Sequence, residues 1–267
     1  MRDSRQPSRN RQRGLSLIDL MVGLTISLLV VLAALGSLMV TSSSTRTVTD
    51  GASLEQKATL VMVQIGQQIS QAGAVVAISN TPSPDLPYVA FDTTALGGIN
   101  TAAPAVSIYG VDGASNGPDT LVISYTAPND GAAQAFNCVG NGPVTAGTAQ
   151  RLVSQFFIKT ATASLVCNND TTVPSTAAAQ SLVSDVLDMQ VKYLLVDDER
   201  NVTFRNAAAD IAWSQVAGVQ VCLEVQGDVI QAPAQTITSC SGSSKTTTDG
   251  RIHRIVRQTF YLRNINT

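Results

Sequence analysis

The stretch Gly14-Leu15-Ser16-Leu17-Ile18-Asp19-Leu20-Met21-Val22-Gly23-Leu24 decides how this chain is read. It opens a segment, Leu15 to Thr45, in which Asp19 is the only charged residue. Leu15 to Val40 supplies about 39 Å of helix at 1.5 Å per residue, enough to cross a bilayer with some tilt. A carboxylate near the start of such a helix costs roughly 2.5–3.5 kcal/mol on insertion scales, so an acid kept there points to function. Immediately before the segment stand Arg2, Arg5, Arg9, Arg11 and Arg13. Basic residues on that side and none within the span place the N-terminus on the cytoplasmic face.

A basic leader, a glycine, an apolar residue, three more residues, an acid and a long apolar helix, in that order, resemble the class III signal of type IV pilins and pseudopilins. The resemblance implies that a prepilin peptidase cuts between Gly14 and Leu15 and methylates the new N-terminus at Leu15. It also implies a role for Asp19, which stands where the family usually has Glu: in a filament it neutralises the terminal amine of a neighbouring subunit. Leu15 itself stands where most relatives carry Phe. The implied partners are the prepilin peptidase, an inner-membrane assembly platform, the major pilin and other minor pilins, with the membrane as host before assembly.

The helical pattern continues past the membrane segment. Beyond Thr41–Thr45, residues Leu54, Ala58, Val61, Ile65 and Ile69 recur at helical spacing as one apolar stripe, with Gln and Ser opposite. Gly73 is the expected stop, and Gly36 and Gly51 are points where the helix could bend or melt. After Gly73 the texture changes to short β-like runs: Val75–Ile78, Tyr88–Phe91, Val106–Tyr109, Leu121–Tyr125, Leu152–Lys159, Ser164–Cys167, Val186–Val196, Gly218–Val225 and Arg254–Leu262. Alternation such as Val191, Tyr193 and Leu195 against Lys192, Leu194 and Val196 predicts antiparallel strands with one face on the helix. Asn80–Pro87 and Ser239–Gly250 read as loops. The expected fold is α+β and pilin-like, a long N-terminal helix packed on an antiparallel β domain. It divides into a leader (1–14), a transmembrane helix half (15–40), an amphipathic helix half (41–73) and a β-rich extracytoplasmic domain (74–267).

The β-rich part carries a second resemblance, to PilW-type minor pilins. Gly117-Pro118-Asp119-Thr120-Leu121-Val122-Ile123-Ser124-Tyr125 looks like their "G-S-D-x-L-x-V-x-Y" strand, and Leu182 to Tyr193 looks like a second segment. Trp213-Ser214-Gln215-Val216-Ala217-Gly218-Val219-Gln220-Val221 is similar to their "W-x-x-V-x-x-V-x-V" strand, and the Arg-rich end Leu262-Arg263-Asn264 fits.

Composition narrows the function. The chain has 267 residues, enough for one soluble domain and a membrane helix. Loss of residues 1–14 removes five Arg and one Asp, leaving 12 basic and 18 acidic residues, a net of −6. That balance argues against nucleic acid as a partner, because a basic face supplies most of such affinity. Cys138, Cys167, Cys222 and Cys240 form no C-x-x-C pair, and with His253 as the sole histidine a zinc site is not expected. An even cysteine count beyond an export signal reads as disulfides. Of three connectivities, the sequence-local Cys138–Cys167 and Cys222–Cys240 are favoured over the others, with free buried thiols as the alternative.

The remaining motifs carry no chemistry. Gly113-Ala114-Ser115-Asn116-Gly117 matches G-x-S-x-G, but a β-run follows where a nucleophile elbow needs a helix, so it reads as a polar turn. Asp197-Asp198-Glu199 lacks the spacing of a calcium loop and reads as an exposed hairpin turn. His253 reads as a solvated strand residue. No enzyme, metal or cofactor is expected. The expected function is that of a minor pilin that joins a priming complex of a type IV pilus and supports adhesion and twitching motility. Its rivals are a type II secretion pseudopilin of the tip complex and an exported binding protein cut after Gly36 by a conventional signal peptidase.

Overall fold

Helix α1 is one unbroken element, Leu17–Gln71, of 55 residues, roughly 80 Å at 1.5 Å per residue. It passes through Gly36 and Gly51 without interruption. The computed structural model describes residues 16–74, 76–79, 89–92, 106–127, 135–143, 150–170, 179–197, 199–230 and 234–263. It divides into two units, Met1–Val48 and Thr49–Thr267. The expected loop at Asn80–Pro87 lies outside the described residues, as do Val75, Tyr88 and Asn264.

In the first unit the described chain is helix after Ser16, and its apolar side chains are exposed all round, from Leu17 at 70% to Val40 at 68%. Its hydroxyls do not need outside partners. Thr25 donates to Val22 O, Ser27 to Gly23 O, Ser37 to Ala33 O and Thr41 to Ser37 O, at 2.7–3.0 Å. A helix that closes its own backbone and side-chain hydrogen bonds is the form a polypeptide takes in hydrocarbon.

The second unit holds the rest of α1 and thirteen described strands, paired antiparallel throughout. β1 (Val76–Ser79) and β2 (Val89–Asp92) make a two-stranded ribbon. β3 (Ile108–Val111), β4 (Thr120–Ala127), β5 (Gln150–Lys159), β6 (Ser164–Asn168) and β7 (Gln180–Ser184) follow one another across a five-stranded meander. β8 (Val186–Val196), β9 (Val202–Asn206), β10 (Val216–Gln226) and β13 (His253–Tyr261) form a four-stranded sheet in the order β13-β10-β8-β9. β11 (Gln235–Thr238) and β12 (Ser244–Thr247) are a second ribbon. The chain leaves one large sheet for the other at Asp185, a left-handed corner with φ 63°. There Val186 N donates to Ala163 O and Gln226 N to Asp185 O, both at 2.9 Å.

The apolar stripe of the helix fills the space between strands. Leu54, Ala58, Val61, Ile65 and Ile69 are each at most 1% exposed. They share one core with Ile108, Leu121, Ile123 and Phe156 of the larger sheet and Val191, Tyr193, Val219, Val221 and Leu223 of the smaller. Each buried aliphatic side chain of this kind contributes about 1.5–3 kcal/mol before the entropy of ordering it. Gly66 lets the Phe260 ring lie on the helix, since a Cβ there would collide with it. After Gln71 the chain turns at Gly73 (φ 72°), whose N–H donates to Ser124 O at 3.0 Å and ties the helix end to β4.

Two departures from the sequence reading stand out. Ser239–Gly250 is not all loop, because β12 lies inside it and pairs with β11. Ser244-Lys245-Thr246-Thr247 has no apolar alternation for pattern reading to detect, and the ribbon takes its support from tertiary contacts instead. β7, β9 and β11 also add strands to those read from the sequence. Every side chain of β9 is exposed, so it carries no buried face to signal itself.

Candidate functional site

The functional candidates of the sequence sit at very different places in the structure. Gly14 and Leu15 lie outside the described residues. Asp19 lies in the first turn of α1, where the positive end of the helix dipole favours a carboxylate, and it is exposed like its apolar neighbours. Among the described residues α1 is the one element long and apolar enough to cross a membrane, with a mean hydropathy of 2.5 over its most apolar window.

A second acid on the same helix does the opposite. Asp50 is 5% exposed, and its carboxylate accepts Asp228 N at 3.0 Å and Val229 N at 3.4 Å. About two turns on, Lys57 Nζ lies 3.3 Å from both Asp185 and Asp228. Burial pulls the Lys57 ammonium down, but Asp228 and Asp185 outweigh it and hold its pKa above the usual lysine value. Burial likewise pushes Asp185 up, and the Ser184 hydroxyl and Lys57 bring it below the usual carboxylate range. Asp50 and Lys57 therefore fasten the helix to the corner at Asp185 and to the loop after β10.

The two large sheets are stitched by Asp119, the acid of the Gly117-Pro118-Asp119 turn. Its Oδ1 accepts Gly113 N at 2.8 Å and its Oδ2 accepts Val191 N at 2.7 Å, while its own N–H donates to Met189 O at 2.7 Å. Burial, reinforced by Asp112 alongside, raises its pKa to about 7 despite those two donors. Sequence reading took this acid as part of a motif and a turn and missed the bond to β8; the signal was an acid separated by one residue from the apolar run Leu121-Val122-Ile123. Gly113–Gly117 itself forms a 3₁₀ turn, with Ser115 and Asn116 both at positive φ.

Cys138 is bonded to Cys167 and Cys222 to Cys240, and no free cysteine remains. Asp197 Oδ1 accepts Glu199 N at 3.0 Å and Asn201 N at 2.7 Å, which closes the turn between β8 and β9; Asp198 lies outside the described residues. No group of metal-binding side chains is found among the described residues.

His253 corrects the sequence reading, which left it solvated and without a partner. Its side chain is 4% exposed, with Nδ1 2.9 Å from Glu224 Oε1 and Nε2 2.8 Å from Asp249 Oδ2. Lys245 Nζ reaches the same Glu224 oxygen at 2.7 Å. The β11–β12 ribbon folds Lys245 back over β10, so a strand face that would meet solvent is covered. The pairing joins residues 29 apart in sequence, which local pattern does not reveal.

Residues 155–264 match the family model of the type IV pilus-assembly protein W, PilW. No curated protein matches the chain. Among solved structures, a type IV-like pilin from Thermus thermophilus is similar, at 12% identity and a TM-score of 0.46, over 79% of this chain and 98% of that one. The matched family is a pilus-assembly family, not a catalytic one. The stretch that matches the pilus-assembly protein W, residues 155–264, thus lies within the β-rich part of the chain, which packs on the second half of a helix whose first half is bare and apolar.

Proposed function

We propose that this chain is a minor pilin, cut between Gly14 and Leu15, methylated at Leu15, and incorporated into a type IV pilus through its N-terminal helix. It joins other minor pilins in the complex that primes assembly, with the N-terminus cytoplasmic and the β domain periplasmic before extrusion. The observation that carries this reading is Asp19, an acid in the first turn of a helix whose surroundings are apolar on every side. In hydrocarbon an isolated carboxylate is costly, and the terminal amine of a neighbouring subunit is the cation a filament supplies. Pairing the two sets the axial register of each subunit as it is added. The cysteine pairs suit a domain that matures in an oxidising compartment.

Mass spectrometry of the protein from membranes and sheared filaments tests the processing step. A chain that begins at Leu15 with one added methyl group is the expected result; an intact Met1, or a start near Ser37, would sink the proposal. Asp19→Ala is expected to leave the protein in the membrane and reduce surface pili. Normal piliation and twitching, with loss of protein secretion instead, would move it to a type II secretion pseudopilus.

A further inference from the structure

Beside β5 the five-stranded sheet leaves a gap. β4 pairs with β5 from Gln150 to Phe156, but β6 pairs with it only from Gln155 to Lys159. The segment 135–143 lies along the part that β6 leaves open, with Cys138 N donating to Ser154 Oγ at 3.0 Å. That segment is braced from several sides. Cys138 is bonded to Cys167 of β6, and Ser154 Oγ donates to Gln68 Oε1 of α1 at 2.7 Å. Gln68 Nε2 and Tyr125 OH both donate to Phe136 O, at 3.1 and 2.8 Å. Between the segment, β5 and Asn169 opens a cleft of about 680 Å³, a size that suits a small ligand.

The wall of the cleft is built of carboxamides. Asn137, Asn141, Gln150 and Asn169 line it together with the Arg151 guanidinium, and no acid is among the described residues that do. Asn137 is 5% exposed, and its Oδ1 accepts Val139 N at 3.2 Å and Asn141 N at 2.8 Å. Those two donors fix its orientation and leave Nδ2 with no acceptor among the described residues. The side chains of Asn141 and Asn169 are exposed and have no hydrogen-bond partner among the described residues. At the rim the Phe136 ring, on a residue 43% exposed, lies against Gly142, where a Cβ would come within 3.2 Å of it.

This lining selects among ligands. A hard cation needs carboxylates, and the described wall has none. A phosphate or sulfate is held by a nest of open backbone N–H groups. Here the N–H groups of Asn137 and Gly140 are taken by Asn141 O and Asn137 O, that of Cys138 by Ser154 Oγ, and those of Val139 and Asn141 by Asn137 Oδ1. An extended peptide adds to an open strand edge, and the segment 135–143 already stands beside β5. A carboxamide, by contrast, offers an acceptor and two donors together, which matches hydroxyl groups that both donate and accept.

We propose that this cleft binds a short neutral oligosaccharide. Asn137, Asn141 and Asn169 bond its hydroxyls, Arg151 donates to its oxygens, and Phe136 gives an apolar face to the C–H side of a sugar ring. The braced segment loses little freedom on binding. The inference goes beyond the filament reading and stands without it.

The test applies the full chain, fluorescently labelled and held in a detergent without a sugar headgroup, to an array of neutral, sialylated and sulfated glycans and unstructured peptides. Binding to neutral glycans is expected. Asn141→Ala combined with Asn169→Ala, both at exposed side chains, is expected to weaken that binding about tenfold or more, as loss of two hydrogen-bonding groups does, without shifting the melting temperature. Thr236→Ala, on the exposed ribbon, is expected to change nothing. Full competition by a free monosaccharide would point to a small soluble sugar, and competition by oligosaccharides alone to a surface glycan; both uphold the site. No glycan binding, binding only to the sialylated and sulfated glycans, binding to the peptides alone, or an unchanged affinity in the double variant overturns the proposal.

Discussion

The two halves of α1 have the same secondary structure and opposite surroundings. From Leu17 to Val48 the apolar residues ring the helix and all lie open, while from Leu54 to Ile69 they form one stripe at most 1% exposed. The difference is one of solvent. A helix apolar all round has no preferred face and suits hydrocarbon, whereas a helix with one apolar face needs a core to cover it. The acids follow the same division, Asp19 exposed in the first turn and Asp50 bound by the domain's own backbone.

The sharpest way to break this contrast is to shorten one apolar residue in each half. Ile65→Ala, at a wholly buried site, should cost about 2–5 kcal/mol of domain stability, a transfer term plus a cavity. Leu29→Ala, at a site 65% exposed, should leave the urea midpoint of the β domain unchanged. A comparable loss in both would mean that the first half also supports the domain.

Replacing the acids carries the contrast further. Asp50→Ala strands the N–H groups of Asp228 and Val229 and should lower stability by about 1–3 kcal/mol, read from the thermal melt of the full chain in detergent. Asp19→Ala should leave that melt unchanged and alter only filament incorporation. A melt shifted equally by both substitutions would erase the division of labour between them.

The helix and its stripe were legible in the sequence because one periodic pattern runs from Leu54 to Ile69 and every member is buried. β4, β5, β8, β10 and β13 were legible for the same reason, as runs with strong apolar alternation. Asp19 stands out in the sequence as the one charge between Leu15 and Thr45. What could not be read were contacts that join distant segments: Asp119 to β8, Lys57 to Asp185, His253 to Glu224. Each of these polar residues has an ordinary local setting and acquires its partner only when the sheets meet. The β11–β12 ribbon escaped notice because its strands are polar and short.

Asp119 offers a pH test of the junction between the sheets. Its folded pKa, about 7, lies above the ordinary 3.8 because of burial and Asp112. Between those values the folded chain holds a proton that the unfolded chain releases, so this group lowers stability as pH rises from 3.8 to about 7. Asp119→Asn should flatten the melting temperature across that window. It should also cost roughly 1–3 kcal/mol at low pH, because an amide NH₂ faces one of the two backbone donors. An unchanged pH slope would mean that another group sets it.

The smallest effect belongs to Lys57, although it bridges two acids. It is a quarter exposed, and Asp228 is well exposed, so solvent screens the attraction and both side chains lose freedom on pairing. The raised Lys57 pKa means its contribution is complete below the ordinary 10.5 and fades as pH climbs above it. The lowered Asp185 pKa means its share is complete above 3.8 and fades as pH falls below. Lys57→Met, which keeps the aliphatic stem against the corner, should therefore cost about 0–1 kcal/mol in urea denaturation at neutral pH, and less in high salt. A loss as large as that of Asp50→Ala would show that the ion pair, and not the buried carboxylate about two turns earlier, holds the helix to the corner where the chain passes between sheets.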